Sequence, residues 1–452
     1  MKSRVSKGIC LLLAIVIQLS LLAACNTEAS NTALNGVDIS KYTIVYAQED
    51  EDYSLRAAEY IQTQIKQRTG VEIPVCEDDT GAYARELIVG DTNRALSKDI
   101  AMRSTEMKFN IKADKGHIAI QGRSFMIAAA AYYFVETYIP GSTFQSEIPK
   151  GIIVQHTPIT EKPNNFIYLI GDGMGVNHTK LLEQYSVEEY ITDSDSEDLF
   201  YGYYLPYQGL IHTGSLTGTT DSAAGATALA CGVKTINGYV GINKKDETVQ
   251  SLTELAISLG KATAVMSSDV STGATPAGFS AHAPSRSDSE VIAACQEKLA
   301  KEHGTIFECG LYTSNEYKEK IVEVLDKLDD DEDGFFLMYE EGYIDKHSHN
   351  RSLEGTVMYM GRFNQAIARF MEFAFYHPDT FLIITADHET GGLTMNADGK
   401  LIFTTGEHTG VDVAIFGYGQ GAVVFDNYNK ENHEVPKVIA DLWGVENFGT
   451  EK

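Results

Sequence analysis

Five short apolar runs constrain this chain most: Phe166 to Ile170, Ala262 to Ser267, Phe335 to Tyr339, Phe381 to Thr385 and Val411 to Phe416. Runs of this length without polar alternation read as strands buried on both faces. Gly-rich turns and helical stretches follow them, and polar residues cluster just past most of them. Strands alternating with helices predict an α/β sheet, and the polar clusters predict a site at the carboxyl ends of its strands.

The clusters carry the chemistry. The first run leads into Gly171-Asp172-Gly173-Met174-Gly175, where glycines let the backbone turn while a carboxylate projects past the strand. A lone Asp in such a place is usually a helix cap. Thr220-Asp221-Ser222-Ala223-Ala224 opens a small-residue stretch that should be helical. A hydroxyl at a helix N-terminus sits where backbone N–H groups and the dipole favour an anion. Taken alone, Ser222 reads more simply as an N-cap. No G-x-S-x-G is present, which disfavours an α/β-hydrolase elbow. Ala274-Thr275-Pro276-Ala277 leads to His282 and Arg286, and a guanidinium fork matches two phosphate oxygens.

The densest signal is Glu340-Glu341-Gly342-Tyr343-Ile344-Asp345-Lys346-His347-Ser348-His349. Asp345 and His349, four residues apart, share a helix face. Two more clusters follow, Asp387-His388-Glu389-Thr390-Gly391-Gly392 and Gly406-Glu407-His408-Thr409-Gly410. Asp-His directly after a buried strand is costly unless a metal or another partner satisfies it. Mixed Asp and His ligands suit zinc, and hard oxygen ligands suit magnesium.

Together, from Asn165 to about Tyr428, these motifs resemble the alkaline phosphatase family in order, identity and several spacings. The resemblance implies an alkaline-phosphatase-like central sheet flanked by helices, and hydrolysis of phosphate monoesters through a phosphoserine on Ser222. It implies a first zinc on Asp345, His349 and His408, and a second on Asp172, Asp387 and His388. Asp172 would also bridge to a magnesium held by Thr275 and Glu340. Glu340 is preferred over Glu341 because it lies five residues before Asp345, the spacing the family shows. Arg286 would grip the phosphoryl group, oriented by Asp221. Lys346 would contact phosphate through water or replace part of the third metal's charge. Gly273 departs from the many members with Asp or His there, which puts the magnesium in question. The stretches from Arg286 to Glu340 and from His388 to His408 are short beside many members. This implies a more open site and leaves the family's frequent homodimer an open expectation.

Two rival readings stand beside this one. The first is another hydrolase of the same superfold, a phosphodiesterase, sulfatase or phosphomutase. A sulfatase needs a C-x-P-x-R-type nucleophile site, which Cys231-Gly232-Val233-Lys234 does not supply. The second is a surface carbohydrate-binding protein without activity.

The N-terminal part reads separately. Lys2, Arg4 and Lys7 precede the apolar stretch Ile9 to Leu22, the pattern of a signal sequence over Met1 to Ala24. Leu22-Ala23-Ala24-Cys25 resembles a bacterial lipoprotein box, implying lipidation of Cys25 and an extracytoplasmic, membrane-anchored protein with residues 25–36 as tether. Val37 to His156 reads as a small α+β domain. Its elements are a strand at Tyr42 to Tyr46, a helix at Ser54 to Gln67 and a strand at Leu87 to Val89. A hairpin about Asp114-Lys115-Gly116 and a helix at Met126 to Tyr138 complete it. Val71-Glu72-Ile73-Pro74, Ile88-Val89-Gly90-Asp91-Thr92-Asn93 and the hairpin-helix unit resemble the non-catalytic N-terminal domain of alpha-glucuronidases and related glycoside hydrolases. That implies a packing module or, less simply, a glycan contact. Thr157 to Asn164 is the expected linker, and the catalytic domain spans 165–452.

Charge excludes partners rather than chemistry. There are 63 acidic against 36 basic residues, a formal −27, and losing the three basic residues of the signal leaves about −30. Nucleic acid needs clustered Lys and Arg, so it is not an expected partner. An anionic substrate stays accessible only where metals or Arg reverse the sign locally. Cys76, Cys231, Cys295 and Cys309 show no CxxC spacing, so a Cys-rich zinc site is not expected. Cys295 with Cys309 as a disulfide and four inert thiols are both compatible with the sequence.

Overall fold

The computed structural model describes residues 32–48, 51–101, 107–155, 161–185, 199–311 and 316–450. The signal stretch, Cys25, the tether up to residue 31 and linker residues 157–160 lie outside the described residues. The chain divides into two compact units, Met1–His156 and Thr157–Lys452.

The first unit is built on a six-stranded mixed sheet. Strand Thr43–Tyr46 pairs in parallel with Val75–Glu77 and Glu86–Val89, and the latter with His117–Gly122. Lys108–Asp114 then runs antiparallel to both His117–Gly122 and Ile152–Gln155. Helix Glu51–Thr69 buries Ala57, Ala58, Ile61 and Ile65, a stripe at three- and four-residue steps, and packs against helix Met126–Tyr138. In the hairpin, Asp114 pairs with His117 across a two-residue loop of Lys115 and Gly116, both at positive φ, as a primed turn requires.

One boundary is corrected here. Residues 32–36, expected in the tether, belong to the first unit. Strand Thr32–Leu34 pairs with Phe144–Ser146, and Asn35 Oδ1 accepts from Ile148 N at 2.6 Å. Small polar composition hides a strand whose stability comes from a distant partner.

The second unit contains an eight-stranded sheet. Its order is Ile306–Cys309, Ala262–Ser267, Phe335–Glu341, Asn165–Gly171, Thr380–Thr385, Val413–Tyr418, Tyr207–His212 and Asn429–Glu431. The first five are parallel. Asn165–Gly171, Phe335–Glu341 and Thr380–Thr385 are buried throughout, which is why they read as unbroken apolar runs. The run expected at Val411 to Phe416 begins later, at Val413, and is antiparallel to Thr380–Thr385. Val411 is exposed and Asp412 pairs with His212 instead. Register brings the carboxyl ends level: Ile170 lies opposite Glu340 on one side and Thr385 on the other, and Ser267 opposite Glu340. The described end of the linker packs onto this unit, with Asn164 N donating to Asp379 O at 2.8 Å. The four cysteines Cys76, Cys231, Cys295 and Cys309 are free thiols.

Among the described residues no helix is long and apolar enough to cross a membrane.

Candidate metal and phosphoryl site

The level strand ends place four carboxylates within one edge of the sheet. Asp172 follows Asn165–Gly171, Glu340 and Glu341 close Phe335–Glu341, and Asp387 follows Thr380–Thr385. Gly173, at φ 73°, has no room for a side chain: a Cβ there would lie 2.9 Å from Asp345 Oδ1 and Thr390 Oγ1. Its N–H donates to Asp387 Oδ1 at 3.2 Å, and His388 N donates to the same oxygen at 3.0 Å. The glycine turn thus holds one carboxylate while bringing two loops together.

Six Asp and His side chains converge there. Asp172, Asp387 and His388 present ligand atoms within 4.8 Å of one another, and so do Asp345, His388 and His408. His349 Nε2 lies 3.3 Å from Asp345 Oδ2 and 3.0 Å from His408 Nε2. Backbone carbonyls fix the outer ring nitrogens, Gly406 O for His349 at 2.6 Å and Thr220 O for His408 at 2.9 Å. That leaves both Nε2 atoms turned inward, as metal-ligating histidines are commonly held. Thr390, which the sequence did not single out, donates to Asp345 Oδ1. It stands in the same run as Asp387 and His388, so its proximity to them was the available signal.

The cluster carries more negative charge than its protein partners offset. Burial, then repulsion from Asp387, Asp345 and Glu340, pushes Asp172 well above the carboxylate range. Burial and Asp345 do the same to Asp387. Burial and the neighbouring His408 hold His388 well below the usual imidazole value, which favours the neutral ring. Burial opposes ionisation of Asp345 too, but His349, His388 and Thr390 outweigh it and keep that carboxyl low. The bond to Asp345 lifts His349 to about 9. Asp172 Oδ1 and Asp387 Oδ2 are buried with no hydrogen-bond partner. Orphaned carboxylate oxygens at this depth are expensive; divalent cations with N and O ligands fit this donor set.

Glu340 and Glu341 point to opposite faces of the sheet, as successive strand residues do. Glu340 accepts from Ser267 Oγ, and Glu341 from Ser268 Oγ at 2.5 Å. Burial lifts Glu340 to about 7, with Thr275 close enough to oppose the rise. The Thr275 hydroxyl is itself buried and stands beside Glu340. Ser267 and Thr275 therefore mark the Glu340 side as a second oxygen-rich compartment.

Ser222 opens helix Ser222–Cys231, which Asp221 caps by accepting from Ala224 N at 3.0 Å. The expected N-cap role thus falls to Asp221 rather than Ser222. Ser222 Oγ lies 3.2 Å from His388 Nε2, against the metal-type cluster. The other carboxylate oxygen of Asp221 accepts from Gly238 N at 3.0 Å and from Arg286 Nη1 at 3.2 Å. Arg286 keeps 40% of its side chain exposed, so the guanidinium is tethered yet open to a ligand. His282 does not join the site; it bridges Gly241 O and Glu254. Lys346 pairs with Asp269 at 2.6 Å.

The family model described as alkaline phosphatase matches residues 163–315 and 311–405. The chain belongs to the alkaline phosphatase family. Alkaline phosphatase 3 of Bacillus subtilis (strain 168) is 29% identical over 296 residues, 52% of this chain and 63% of that protein. The chain thus spans about 63% of the length of this curated relative. The Escherichia coli (strain K12) alkaline phosphatase is 37% identical over 131 residues, 28% of each chain. Among solved structures, the alkaline phosphatase of the Antarctic bacterium TAB5 superposes with a TM-score of 0.53 at 26% identity. That match covers 62% of this chain and 98% of that one. A variant of it was solved with Mg bound in its M3 site.

Proposed function

We propose that this chain is an extracytoplasmic alkaline phosphatase that hydrolyses phosphate monoesters through a phosphoserine on Ser222. The observation that carries the reading is the placement of Ser222 Oγ, 3.2 Å from His388 at a helix N-terminus, beside five convergent Asp and His side chains that His349 joins through His408 and Asp345. Asp345, His349 and His408 would hold a first zinc, and Asp172, Asp387 and His388 a second. Asp172, Thr275 and Glu340 would hold a magnesium. When bound, such cations lower the pKa of hydroxyl and water nucleophiles and offset charge on the departing oxygen.

The chain's own residues do the rest. Ser222 Oγ attacks phosphorus, and the bond from phosphorus to the ester oxygen breaks, releasing the alcohol. Arg286 grips two phosphoryl oxygens through its fork, and Asp221 aims that fork by holding Nη1. Water then attacks the phosphoserine, and Ser222 Oγ leaves with its proton restored. Asp221 serves two purposes at once, since its other oxygen caps the helix that presents Ser222; loss of such a cap costs about 0.5–2 kcal/mol.

The same reading places the protein outside the cytoplasm through the signal sequence and a lipid on Cys25. Small phosphate monoesters are its proposed partners, and the N-terminal unit is a packing module. Trapping labelled phosphate at low pH tests the mechanism. The wild type should retain label and Ser222→Ala should retain none; label on the alanine variant sinks the assignment.

A further inference from the structure

Lys346 lies on helix Tyr343–His349, next to Asp345, but its ammonium leaves the metal-type cluster. It sits 2.6 Å from Asp269 Oδ1 and 4.1 Å above the Tyr343 ring. Asp269 belongs to none of the sequence motifs. It follows strand Ala262–Ser267 and is pinned by its backbone: its N–H donates to Ser267 Oγ at 2.8 Å, and its carbonyl accepts from Gly310 N at 2.6 Å. Two glycines make its space. A Cβ on Gly273 would lie 3.0 Å from Asp269 Oδ2, and one on Gly342 would lie 3.2 Å from Asp269 Cβ and 3.4 Å from Glu340 Oε1. Asp269 and Glu340 therefore flank the Gly342 backbone, with the buried side chains of Thr275 and Asp172 among the groups proposed to receive the third cation.

We propose that Asp269 is a positioning residue that draws the Lys346 ammonium off Glu340 and so keeps the Glu340 and Thr275 oxygens available to a divalent cation. The inference rests on the zinc and magnesium reading of the site. An ammonium and a divalent cation cannot share one carboxylate without strong repulsion, and Glu340 already attracts Lys346. With Asp269 in place the ammonium has a nearer partner. Gly273, whose missing side chain stands out in the sequence, is the gap that admits it.

The test uses zinc-loaded full-length protein titrated with Mg2+ by calorimetry, with zinc content measured in parallel. Asp269→Asn should lower Mg2+ affinity about 10-fold or more, the scale of losing a supporting partner, at unchanged zinc content. Adding Lys346→Met to that variant should recover most of the loss, because no ammonium then competes. Lys346→Met alone should bind Mg2+ at least as tightly as wild type, and this variant decides the matter if Asp269→Asn does not fold. Unchanged affinity in Asp269→Asn overturns the proposal, as does a loss that Lys346→Met fails to relieve. Weakened binding in Lys346→Met alone overturns it too. Wild-type protein that takes up no zinc sinks the underlying site reading instead.

Discussion

Both units follow buried parallel strands with polar turns, and the two sets of turns end differently. In the first unit the polar groups after Val75–Glu77 and Glu86–Val89 close on one another. Asp78 accepts from Gln48 N and Asn93 N, Arg94 pairs with Glu86 at 3.1 Å, and Ser97 and Gln121 both donate to Gly90 O. In the second unit the corresponding edge leaves Asp172 Oδ1 and Asp387 Oδ2 buried with no hydrogen-bond donor among the described residues and with His388 beside them. The same architecture thus hosts a closed structural network in one place and a set of unsatisfied carboxylates that could hold a metal ion in the other. Function follows the unsatisfied atoms rather than the fold.

That contrast is open to direct attack. The largest effect should come from Asp172→Asn. It should cut phosphomonoesterase activity by more than about 10²-fold, since even supporting residues of metal sites cost 10–100-fold. It should also raise the melting temperature of metal-free protein, because one repelling carboxylate is gone from the cluster. A metal-free variant that melts lower would mean the cluster is satisfied without cations. Arg94→Ala should do the opposite. It leaves Glu86, almost fully buried, without its guanidinium partner, so denaturant titration should show a loss of about 1–3 kcal/mol. Its kcat should not change; a fall in kcat would erase the distinction between the units.

The smallest effect concerns a satisfied pair inside the second unit. Burial disfavours charge on His282, but its bond to Glu254 at 2.8 Å outweighs that and raises the imidazole above its ordinary 6.5. Burial also opposes ionisation of Glu254, and His282 outweighs it and lowers that carboxyl below 4.5. The imidazole's contribution is fully present below pH 6.5 and fades as pH rises through its folded value. The carboxylate's is present above pH 4.5 and fades as pH falls through its folded value. The pair is therefore strongest between those limits. Wild type should lose stability from pH 6 to pH 8 by on the order of 1 kcal/mol or less, and His282→Gln should lose that slope. A slope of equal size in the variant would assign it to other groups.

How much of this was legible follows from burial. The central strands were readable because both faces are apolar; Ala262–Ser267 has the bounds the sequence suggested. Tyr207–His212, Ile306–Cys309 and Asn429–Glu431 were missed because they are half-buried or exposed and carry no such run. Asp387 and His388 were legible as costly polar residues directly after an apolar strand, whereas Asp172 alone read as a helix cap and gained its metal role only from the family resemblance. Ser267, Asp269 and Thr390 were not legible, because each meets a charged group far away in sequence, a carboxylate for Ser267 and Thr390 and the Lys346 ammonium for Asp269, and only the folded register brings Ser267 opposite Glu340.

The central claim is that the unsatisfied edge is a cation site serving Ser222. Metal analysis of purified protein, paired with phosphomonoesterase assays before chelation, after chelation and after zinc and magnesium are restored, tests it most directly. The account predicts about two zinc ions per chain, on the pattern of two-metal sites, with activity lost on chelation and regained on restoration. Protein that binds no zinc, or whose activity survives complete chelation, would contradict it.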